Sequence, residues 1–483
     1  MTNPSEFPLS FVEPWKALLL SRQKEQLHDF PNDHASDPGS LITTSSPQKL
    51  YVGTGLSVLQ HGILPAILDA KSSVHFVTCY WAASPSLEAI KGTLIRLAEE
   101  RRDAANTSPP LRVTIGFSTW GLLQKLFHTS STRGQTYSPS QWAKLGLPGE
   151  DVLSSGGIQL TVKSLFFTPI SVMHPKYVII DGYQVFAPSC NISWEKWFEG
   201  CVELQGAVVQ NLLAFHRRVW MAEDDLAHAY DVGDHATATS KVIELSVQDA
   251  TASDSRLLSG DDSSATRVLQ LAGSPTIPTI VLPSPHHRNP KFSIFPFLSG
   301  SEPPMTPLNA ALLTLFANAR HRITILTPNV TSWPVLDALL HALDRGVDVR
   351  IRTNQGMMLI EQLITAGTTT SLCLKKFVSK YEQLKARKQC TDTEEQSVSP
   401  GTLNIQYYKP VSWRLESEDE PVFSHFKMTM VDNEFLVLGS GNMDRASWWT
   451  SQELGFLFHV PGFDWQHLWD SVLDKRMELF YAS

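Results

Sequence analysis

One set of five polar residues occurs twice in the chain with the same internal spacing. The first set is His174, Lys176, Asp181, Ser189 and Asn191, and the second is His425, Lys427, Asp432, Ser440 and Asn442. In both sets lysine follows histidine by two positions, aspartate follows lysine by five, serine follows aspartate by eight, and asparagine follows serine by two. A single copy is weak evidence, because such offsets arise by chance, whereas two copies that agree at five positions indicate a shared chemical purpose.

The residues around each set predict how its side chains are brought together. An apolar run follows each His-x-Lys, at residues 177–180 and 428–431, and we predict a strand for each. Side chains two apart on a strand share a face, so the histidine and lysine of each set point the same way. A turn at Asp181-Gly182 or Asp432-Asn433 then returns a second strand, which carries serine and asparagine back to the His-Lys end.

Two such half-sites facing each other would suit phosphoryl transfer. Together they would hold two imidazoles, two ammonium groups and several neutral donors, an array that matches a tetrahedral phosphate. One histidine can attack phosphorus while the other gives its proton to the leaving oxygen and then activates the incoming acceptor. The ordinary pKa of histidine, near neutrality, suits both tasks.

Length and composition narrow the class of protein. The 483 residues suffice for two ordinary domains or for one large duplicated unit. A hydrophobic content of 42% and a charged content of 18% are typical of a soluble globular protein. The formal net charge of -8 argues against a general electrostatic grip on nucleic acid, although a narrow basic cleft stays compatible with it.

Cysteine usage and the N-terminus bear on the compartment. The five cysteines include no CxxC pair, which predicts reduced thiols in an intracellular setting and no zinc framework. The N-terminus has no basic region followed by a sustained apolar stretch, and no apolar run approaches the roughly 18 residues that span a bilayer. We therefore predict a cytoplasmic protein without a transmembrane segment, and contact with a membrane surface remains open.

Helical and strand patterns occur in the same order in both halves of the chain. Predicted strands lie at residues 74–80 and 111–117 in one half and at 323–326 and 347–351 in the other, with helical patterns between them. This order predicts an internal duplication in which each copy is an α/β layer. We predict loop at residues 128–155 and a polar insertion at 380–402. The predicted division is an N-terminal lead-in at 1–48, a first half at 49–231, a polar linker at 232–278 and a second half at 279–483.

The two His-x-Lys-(x4)-Asp sets resemble the paired HxKx4D motifs of the phospholipase D superfamily. The segment Gly439-Ser440-Gly441-Asn442 is similar to that family's GSxN, and the resemblance covers roughly residues 50–230 and 300–480. It implies two α/β/α halves with mixed sheets, related by a pseudo-twofold axis, and one active site at their seam. It also implies a covalent phosphohistidine and chemistry without a metal or other cofactor.

The resemblance assigns a role to each matched residue. His174 would be the nucleophile and His425 the general acid, with Asp181 and Asp432 completing the two catalytic sets. Phosphate oxygens would be bound by two lysines and two asparagines, assisted by two serines: Lys176, Lys427, Asn191, Asn442, Ser189 and Ser440. The family also has a carboxylate about eleven positions after the asparagine, which would orient a histidine by accepting its ring N–H. Glu453 fits that place, and in the first copy the candidates are Glu203 and Glu199, with Glu203 preferred.

The first copy departs from the family pattern at one position. It reads Pro188-Ser189-Cys190-Asn191, so the glycine before serine is missing. Glycine there would allow a close backbone approach. Proline leaves activity open and puts the phosphate contact of that half in question.

Three functions remain open at this stage. The leading hypothesis is a phosphodiesterase or phosphatidyltransferase acting on a phospholipid, with peripheral membrane contact. The second is a nucleic-acid phosphodiesterase of the nuclease or tyrosyl-DNA phosphodiesterase type, ranked lower because the sequence has no extended Lys/Arg tract. The third is a non-catalytic scaffold that binds anionic lipid headgroups through the same residues. A degenerate duplicate that keeps the fold without the chemistry is the simplest alternative to all three.

Overall fold

The computed structural model describes residues 6–27, 29–104, 108–167, 171–221, 247–249, 265–271, 276–285, 302–391, 399–411, 420–463, 465 and 468–483. Helices and strands follow one another along these ranges in a mixed α/β fold, as the sequence predicts. The chain divides into two compact units. The first unit comprises Ile42–Gly260 and Ala265–Val281, and the second comprises Met1–Leu41, Asp261–Ser264 and Leu282–Ser483.

Helices and strands are numbered along the whole chain. The helices are α1 (Leu9–Ser21), α2 (Gln23–Gln26), α3 (Gly55–Val58), α4 (Leu64–Leu68), α5 (Pro85–Arg101), α6 (Leu122–Phe127), α7 (Pro139–Trp142), α8 (Glu150–Ser155), α9 (Val208–Trp220), α10 (Pro307–Asn318), α11 (Trp333–Asp344), α12 (Leu359–Ala366), α13 (Thr370–Thr391) and α14 (Arg445–Trp449). The strands are β1 (Ile42–Thr54), β2 (Ser73–Tyr80), β3 (Leu111–Thr119), β4 (Gln135–Tyr137), β5 (Ile158–Ser164), β6 (Phe166–Phe167), β7 (Ser171–Val172), β8 (Tyr177–Ile180), β9 (Gln184–Pro188), β10 (Trp197–Gln205), β11 (Val247–Asp249), β12 (Arg267–Leu271), β13 (Ile277–Ser284), β14 (Arg322–Leu326), β15 (Asp348–Thr353), β16 (Leu403–Tyr408), β17 (Phe423–Ser424), β18 (Met428–Val431), β19 (Phe435–Gly439), β20 (Glu453–His459) and β21 (Met477–Ala482).

The sheet of the first unit is mixed. Its strands lie in the order β4-β5-β3-β2-β8-β9-β10-β1-β12-β11. The pairs β5–β3 and β3–β2 are parallel, whereas the pairs β2–β8, β8–β9 and β9–β10 are antiparallel. The predicted hairpin between the first His-x-Lys and its Ser-x-Asn is therefore β8–β9.

The sheet of the second unit has the same order of strands and directions over its central six. They run β16-β15-β14-β18-β19-β20, with β16–β15 and β15–β14 parallel and the three following pairs antiparallel. Strand β21 extends the sheet beside β16. The second predicted hairpin is β18–β19.

Two helices begin with residues that favour a helix start. Helix α5 begins after Ser84, whose Oγ accepts the Leu87 N–H, and Pro85 occupies its first turn, where a missing N–H costs nothing. Its apolar face is buried, with Ile90, Leu94 and Leu97 all packed in the core of the first unit. In the second unit, α11 carries Pro334 in its first turn.

Three segments differ from or add to the predicted organisation. Residues 128–155, predicted as loop, contain β4, α7 and α8. Within the second unit, α1 of the N-terminal segment packs on other elements, and Trp15 Nε1 donates to the Pro307 carbonyl at 3.2 Å. Most of residues 232–278 lies outside the described residues, although β12 pairs with β1. No helix in the described ranges is both long and apolar enough to cross a membrane.

Candidate active site

Each His-x-Lys lies at the start of the central antiparallel strand of its unit. His174 precedes β8 and His425 precedes β18. The lysine two residues later turns back, so that Lys176 Nζ donates to the His174 carbonyl at 3.0 Å and Lys427 Nζ donates to the His425 carbonyl at 2.6 Å. Both lysines are buried. Each half-site thus holds a buried ammonium group at the backbone carbonyl of its histidine.

Each serine is built into the end of the neighbouring hairpin by matching backbone bonds. The Ser189 N–H donates to the Gly200 carbonyl at 2.8 Å, and the Ser440 N–H donates to the Leu454 carbonyl at 2.9 Å. In return, the Gly200 and Leu454 N–H groups each donate to the serine Oγ at 3.0 Å. This register carries both serines to the end of the sheet where the histidines lie.

A buried carboxylate accepts a hydrogen bond from the hydroxyl of each serine. Ser440 Oγ donates to Glu453 Oε2 at 2.5 Å, and Ser189 Oγ donates to Glu199 Oε2. Glu453 and Glu199 each precede the residue that pairs with the serine, so they occupy equivalent positions in the two units. The other oxygen of Glu453 accepts from Ser447 at 2.7 Å.

Glu203, the preferred counterpart of Glu453, lies elsewhere. Its carboxylate accepts from Tyr51 at 2.6 Å and from Gln184 at 2.7 Å, and it lines a separate cleft of about 290 Å³. Glu199 and not Glu203 occupies the position equivalent to that of Glu453, because the connection after Asn442 is longer than the one after Asn191. Helix α14 lies within this longer connection.

The two aspartates do not join the histidines and lysines. Asp181 accepts from the backbone N–H groups of Lys71, Ser72 and Ser73 and from Ser72 Oγ, at 2.7–3.1 Å. It follows the far end of β8, so about four strand residues, or about 13 Å, separate it from the His-Lys end. Its carboxylate is held by backbone N–H groups at the start of β2, so these contacts are structural and its membership of the catalytic set stays a prediction.

Asp432 repeats this arrangement in the second unit. It accepts from the N–H groups of Arg320, His321 and Arg322 at 2.8–2.9 Å, before β14. Both aspartates have positive φ, 51° and 57°, at the hairpin turn. The aspartate of each set therefore ties the hairpin to the neighbouring strand.

Partial burial acts to raise the pKa of Asp181, but hydrogen bonds from Ser73, Ser72 and Lys71 outweigh it. The pKa of Asp181 consequently lies below its ordinary value.

The two asparagines have different surroundings. Asn191 Oδ1 accepts from the Tyr80 N–H at 3.4 Å, which leaves the amide nitrogen as its donor towards a ligand. Asn442 Nδ2 donates to Asp444 Oδ2 at 2.9 Å, and its Oδ1 is buried without a hydrogen-bond partner among the described residues. Burial raises the pKa of Asp444 above its ordinary value.

Arg445 belongs to neither of the two repeated residue sets, and the sequence analysis does not single it out. It begins α14, is buried, and lies with its guanidinium 4.4 Å from the centre of the Trp449 ring. Its Nε and Nη2 have no hydrogen-bond partner among the described residues. A buried cation with unused donors beside Asn442 is able to bind an anionic group. Its position after the serine and asparagine was the available signal.

Glycine is needed before Ser440 because the backbones are close there. A Cβ on Gly439 would lie 2.4 Å from the Leu454 carbonyl oxygen, and Gly439 pairs with another glycine, Gly455. In the first unit Pro188 pairs with Cys201, so side chains replace both glycines. A cavity of about 20 Å³, enough for one water molecule, lies beside Gly439 and Lys427.

Part of the second half of the chain is similar to a known protein family. Residues 312–469 match the family model described as "Cardiolipin synthase, PLD-like domain". The match confirms that the chain resembles the phospholipase D superfamily, as its paired motifs predict. A search of curated protein sequences found no match.

The chain also resembles solved structures. Phosphatidylserine synthase from Haemophilus influenzae Rd KW20 matches with a TM-score of 0.50 and 14% identity, over 90% of this chain and 87% of that one. Nuc, a phospholipase D family member from Salmonella typhimurium, matches over 42% of this chain and 97% of that one, with 15% identity and a TM-score of 0.26. Polyphosphate kinase from Porphyromonas gingivalis matches with a TM-score of 0.40 and 7% identity, over 84% of this chain and 44% of that one. The likeness to the synthase shows a shared fold.

Proposed function

We propose that the chain is a phosphodiesterase or phosphatidyltransferase that acts on phospholipids through a covalent phosphohistidine. The observation that carries this proposal is the matched construction of the two half-sites. Each holds a buried lysine on the histidine carbonyl and a serine between a backbone N–H and a buried glutamate. Preorganised cations and neutral donors of this kind stabilise phosphate oxygens.

A phospholipid is favoured over a nucleic acid by two observations. The net charge of -8 provides no general attraction for a polyanion. The matching family model is described as cardiolipin synthase, and the structure with the same fold is a phosphatidylserine synthase. We extend a phospholipid substrate to this chain on that basis.

The two units are proposed to be copies of one ancestral half, related by a pseudo-twofold axis. The recurring strand order, from β16 to β20 as from β5 to β10, supports a duplication. The spacing of the two residue sets supports it independently. In this proposal His174 and His425 act on the same phosphorus.

In the first chemical step, an imidazole nitrogen of His174 attacks phosphorus. The bond between phosphorus and the leaving alcohol oxygen breaks, and His425 donates a proton to that oxygen. The phosphatidyl group is then held by a P–N bond on His174, while Lys176 and Lys427 offset the charge on its oxygens.

In the second step, water or an alcohol attacks the phosphohistidine. His425, now neutral, takes the proton of this acceptor as the new P–O bond forms and the P–N bond breaks. Water gives a phosphatidic acid, and an alcohol gives a new phosphodiester. The enzyme returns to its starting protonation state.

The remaining polar residues are assigned supporting roles. Asn191 and Asn442 donate to phosphate oxygens with the help of Ser189 and Ser440. The carboxylates of Glu199 and Glu453 hold the serines and orient the histidines as positioning residues. Arg445 is proposed to bind a further anionic group of the substrate.

A lipid turnover assay tests this function. Purified protein is incubated with mixed phospholipids, with and without a competing alcohol, and products are measured by mass spectrometry. We expect phosphatidic acid or a new phosphatidyl alcohol from the wild type and at least a thousandfold less from His174→Ala, since nucleophile and acid–base roles each contribute factors of about 10²–10⁴. His341→Ala, an exposed position on α11, is the matched control.

The alternatives predict different results in the same assay. Equal turnover by wild type and His174→Ala contradicts the mechanism. Turnover of a nucleic-acid phosphodiester but no lipid would favour the nuclease hypothesis. Headgroup binding without any turnover or phosphohistidine would favour the scaffold.

A further inference from the structure

Helix α12 has its apolar side chains outside and a polar one inside. Four large apolar residues are exposed: Leu359, Ile360, Leu363 and Ile364. Ile360 and Ile364 are 76% and 65% exposed, and Leu372, in the first turn of α13, is also exposed. Among the side chains of α12, the buried one is that of Gln362. An outward apolar face of this kind marks a surface that contacts something other than water.

The inverted orientation of α12 is fixed by buried hydrogen bonds. Gln362 Nε2 donates to Asn329 Oδ1 at 2.9 Å and to the Met357 carbonyl at 2.5 Å. Gln362 Oε1 accepts from the Thr370 N–H at 2.6 Å. Turning the helix to bury its isoleucines would break all three bonds and leave buried polar groups unpaired. The apolar face is therefore held outward.

The next helix, α13, is strongly basic. Its cations are Lys375, Lys376, Lys380, Lys385, Arg387 and Lys388, against one acidic residue, Glu382. Lys375 and Lys376 are exposed, and neither forms an ion pair within the described residues. A basic stretch on a chain of net charge -8 is locally complementary to an anionic surface.

Helix α12 follows the strand end that meets the second His-x-Lys. Asn354, one residue beyond β15, donates to the Ser424 carbonyl at 2.7 Å and accepts the Ser424 N–H at 2.8 Å. Ser424 directly precedes His425. The apolar face thus begins a few residues from the edge of the sheet at which a phosphodiester would react.

We propose that α12 and the start of α13 dock the protein on an anionic phospholipid bilayer. Ile360 and Ile364 enter the interface, and Lys375 and Lys376 contact the headgroups. This docking would place the candidate site at a membrane surface, where its phospholipid substrate lies. The choice of a membrane as partner rests on the proposed function. Exposed isoleucines favour a bilayer over a nucleic acid, because phosphate backbones offer no apolar partner.

Vesicle co-sedimentation with the full chain tests the docking. Phosphatidylcholine vesicles with and without phosphatidylglycerol are compared at low and high salt. We expect binding to the anionic vesicles that weakens with salt, and at least a tenfold weaker affinity for Ile360→Asp/Ile364→Asp and for Lys375→Glu/Lys376→Glu. The matched controls are Leu20→Asp/Leu479→Asp and Lys24→Glu/Lys144→Glu, all at exposed positions, and both should bind as the wild type does.

The outcomes separate this inference from the proposed function. If Ile360→Asp/Ile364→Asp loses turnover of phospholipid in bilayers but keeps turnover of a soluble short-chain phosphodiester, docking through α12 is supported. If the wild type turns over neither substrate, but binds anionic vesicles more tightly than the two double variants do, the proposed function is contradicted and docking remains supported. No binding to anionic vesicles, equal binding by Ile360→Asp/Ile364→Asp, or binding of duplex DNA in place of vesicles overturns the docking proposal.

Discussion

Ser440 donates a hydrogen bond to the buried carboxylate of Glu453 at 2.5 Å, and Ser189 donates to the carboxylate of Glu199 at the equivalent place in the first unit. These pairs lie at the same position of equivalent hairpins. The glutamate that contacts each serine is therefore identified by its position on the strand after the hairpin, one residue before the residue that pairs with the serine. Counting eleven residues from the asparagine finds it only in the second copy.

The first prediction separates Glu199 from Glu203. Glu199→Gln should lower kcat at least about tenfold with a smaller change in KM, because it loosens Ser189 and its surroundings without removing a substrate contact. Glu203→Gln, in its separate cleft, should leave both constants within about twofold. Steady-state kinetics with thermal unfolding of each variant checks this. The reverse ranking would return the role to Glu203.

The second prediction concerns the structural role of Asp181. Because its pKa is lowered in the folded state, its contribution to stability is present above its unfolded pKa of about 3.9. That contribution is lost as pH falls through the lower folded value.

Asp181→Asn should therefore reduce stability at neutral pH and flatten the stability profile below about pH 4. Unfolding by denaturant across this range measures the effect. Asp337→Asn, which removes an exposed ion pair with Lys380, is the control and should change little. An unchanged stability together with lost turnover would support a catalytic role for Asp181.

The third prediction concerns Arg445. Arg445→Met should lower kcat/KM about tenfold or more on an anionic substrate, because a buried cation with unused donors is lost. Arg445→Lys should recover only part of this, since an ammonium lacks the planar fork of guanidinium. Kinetics on substrates with neutral and anionic headgroups provides the measurement. Equal losses on both kinds of headgroup would indicate a packing role against Trp449.

The fourth prediction concerns the residue before each serine. Gly439→Ala should destabilise the second unit by about 1 kcal/mol or more, because its Cβ would lie 2.4 Å from the Leu454 carbonyl oxygen. Pro188→Gly should lower the free energy of unfolding by less, because the first unit already accommodates side chains at the pair of Pro188 and Cys201. Calorimetric unfolding compares the two. A Gly439→Ala variant as stable as the wild type would contradict the close-approach argument.

Local patterns in the sequence suffice to predict the framework of the site. Apolar runs predict β8 and β18, and the turns after them predict the hairpins β8–β9 and β18–β19. The place of Glu199 is not predictable this way, since α14 lengthens only one of the two connections. The sequence also does not predict that the apolar face of α12 is exposed. An apolar helix with one glutamine resembles a buried helix until the hydrogen bonds of Gln362 are known.

The central claim is that His174 carries the phosphatidyl group during turnover. Rapid acid-free quenching of the wild type with a phospholipid labelled in its phosphate, followed by peptide mass spectrometry, tests it directly. We predict an acid-labile phosphatidyl adduct on the peptide that contains His174, absent from His174→Ala and present in His341→Ala. An adduct on the His425 peptide, or turnover without any adduct, would contradict the account.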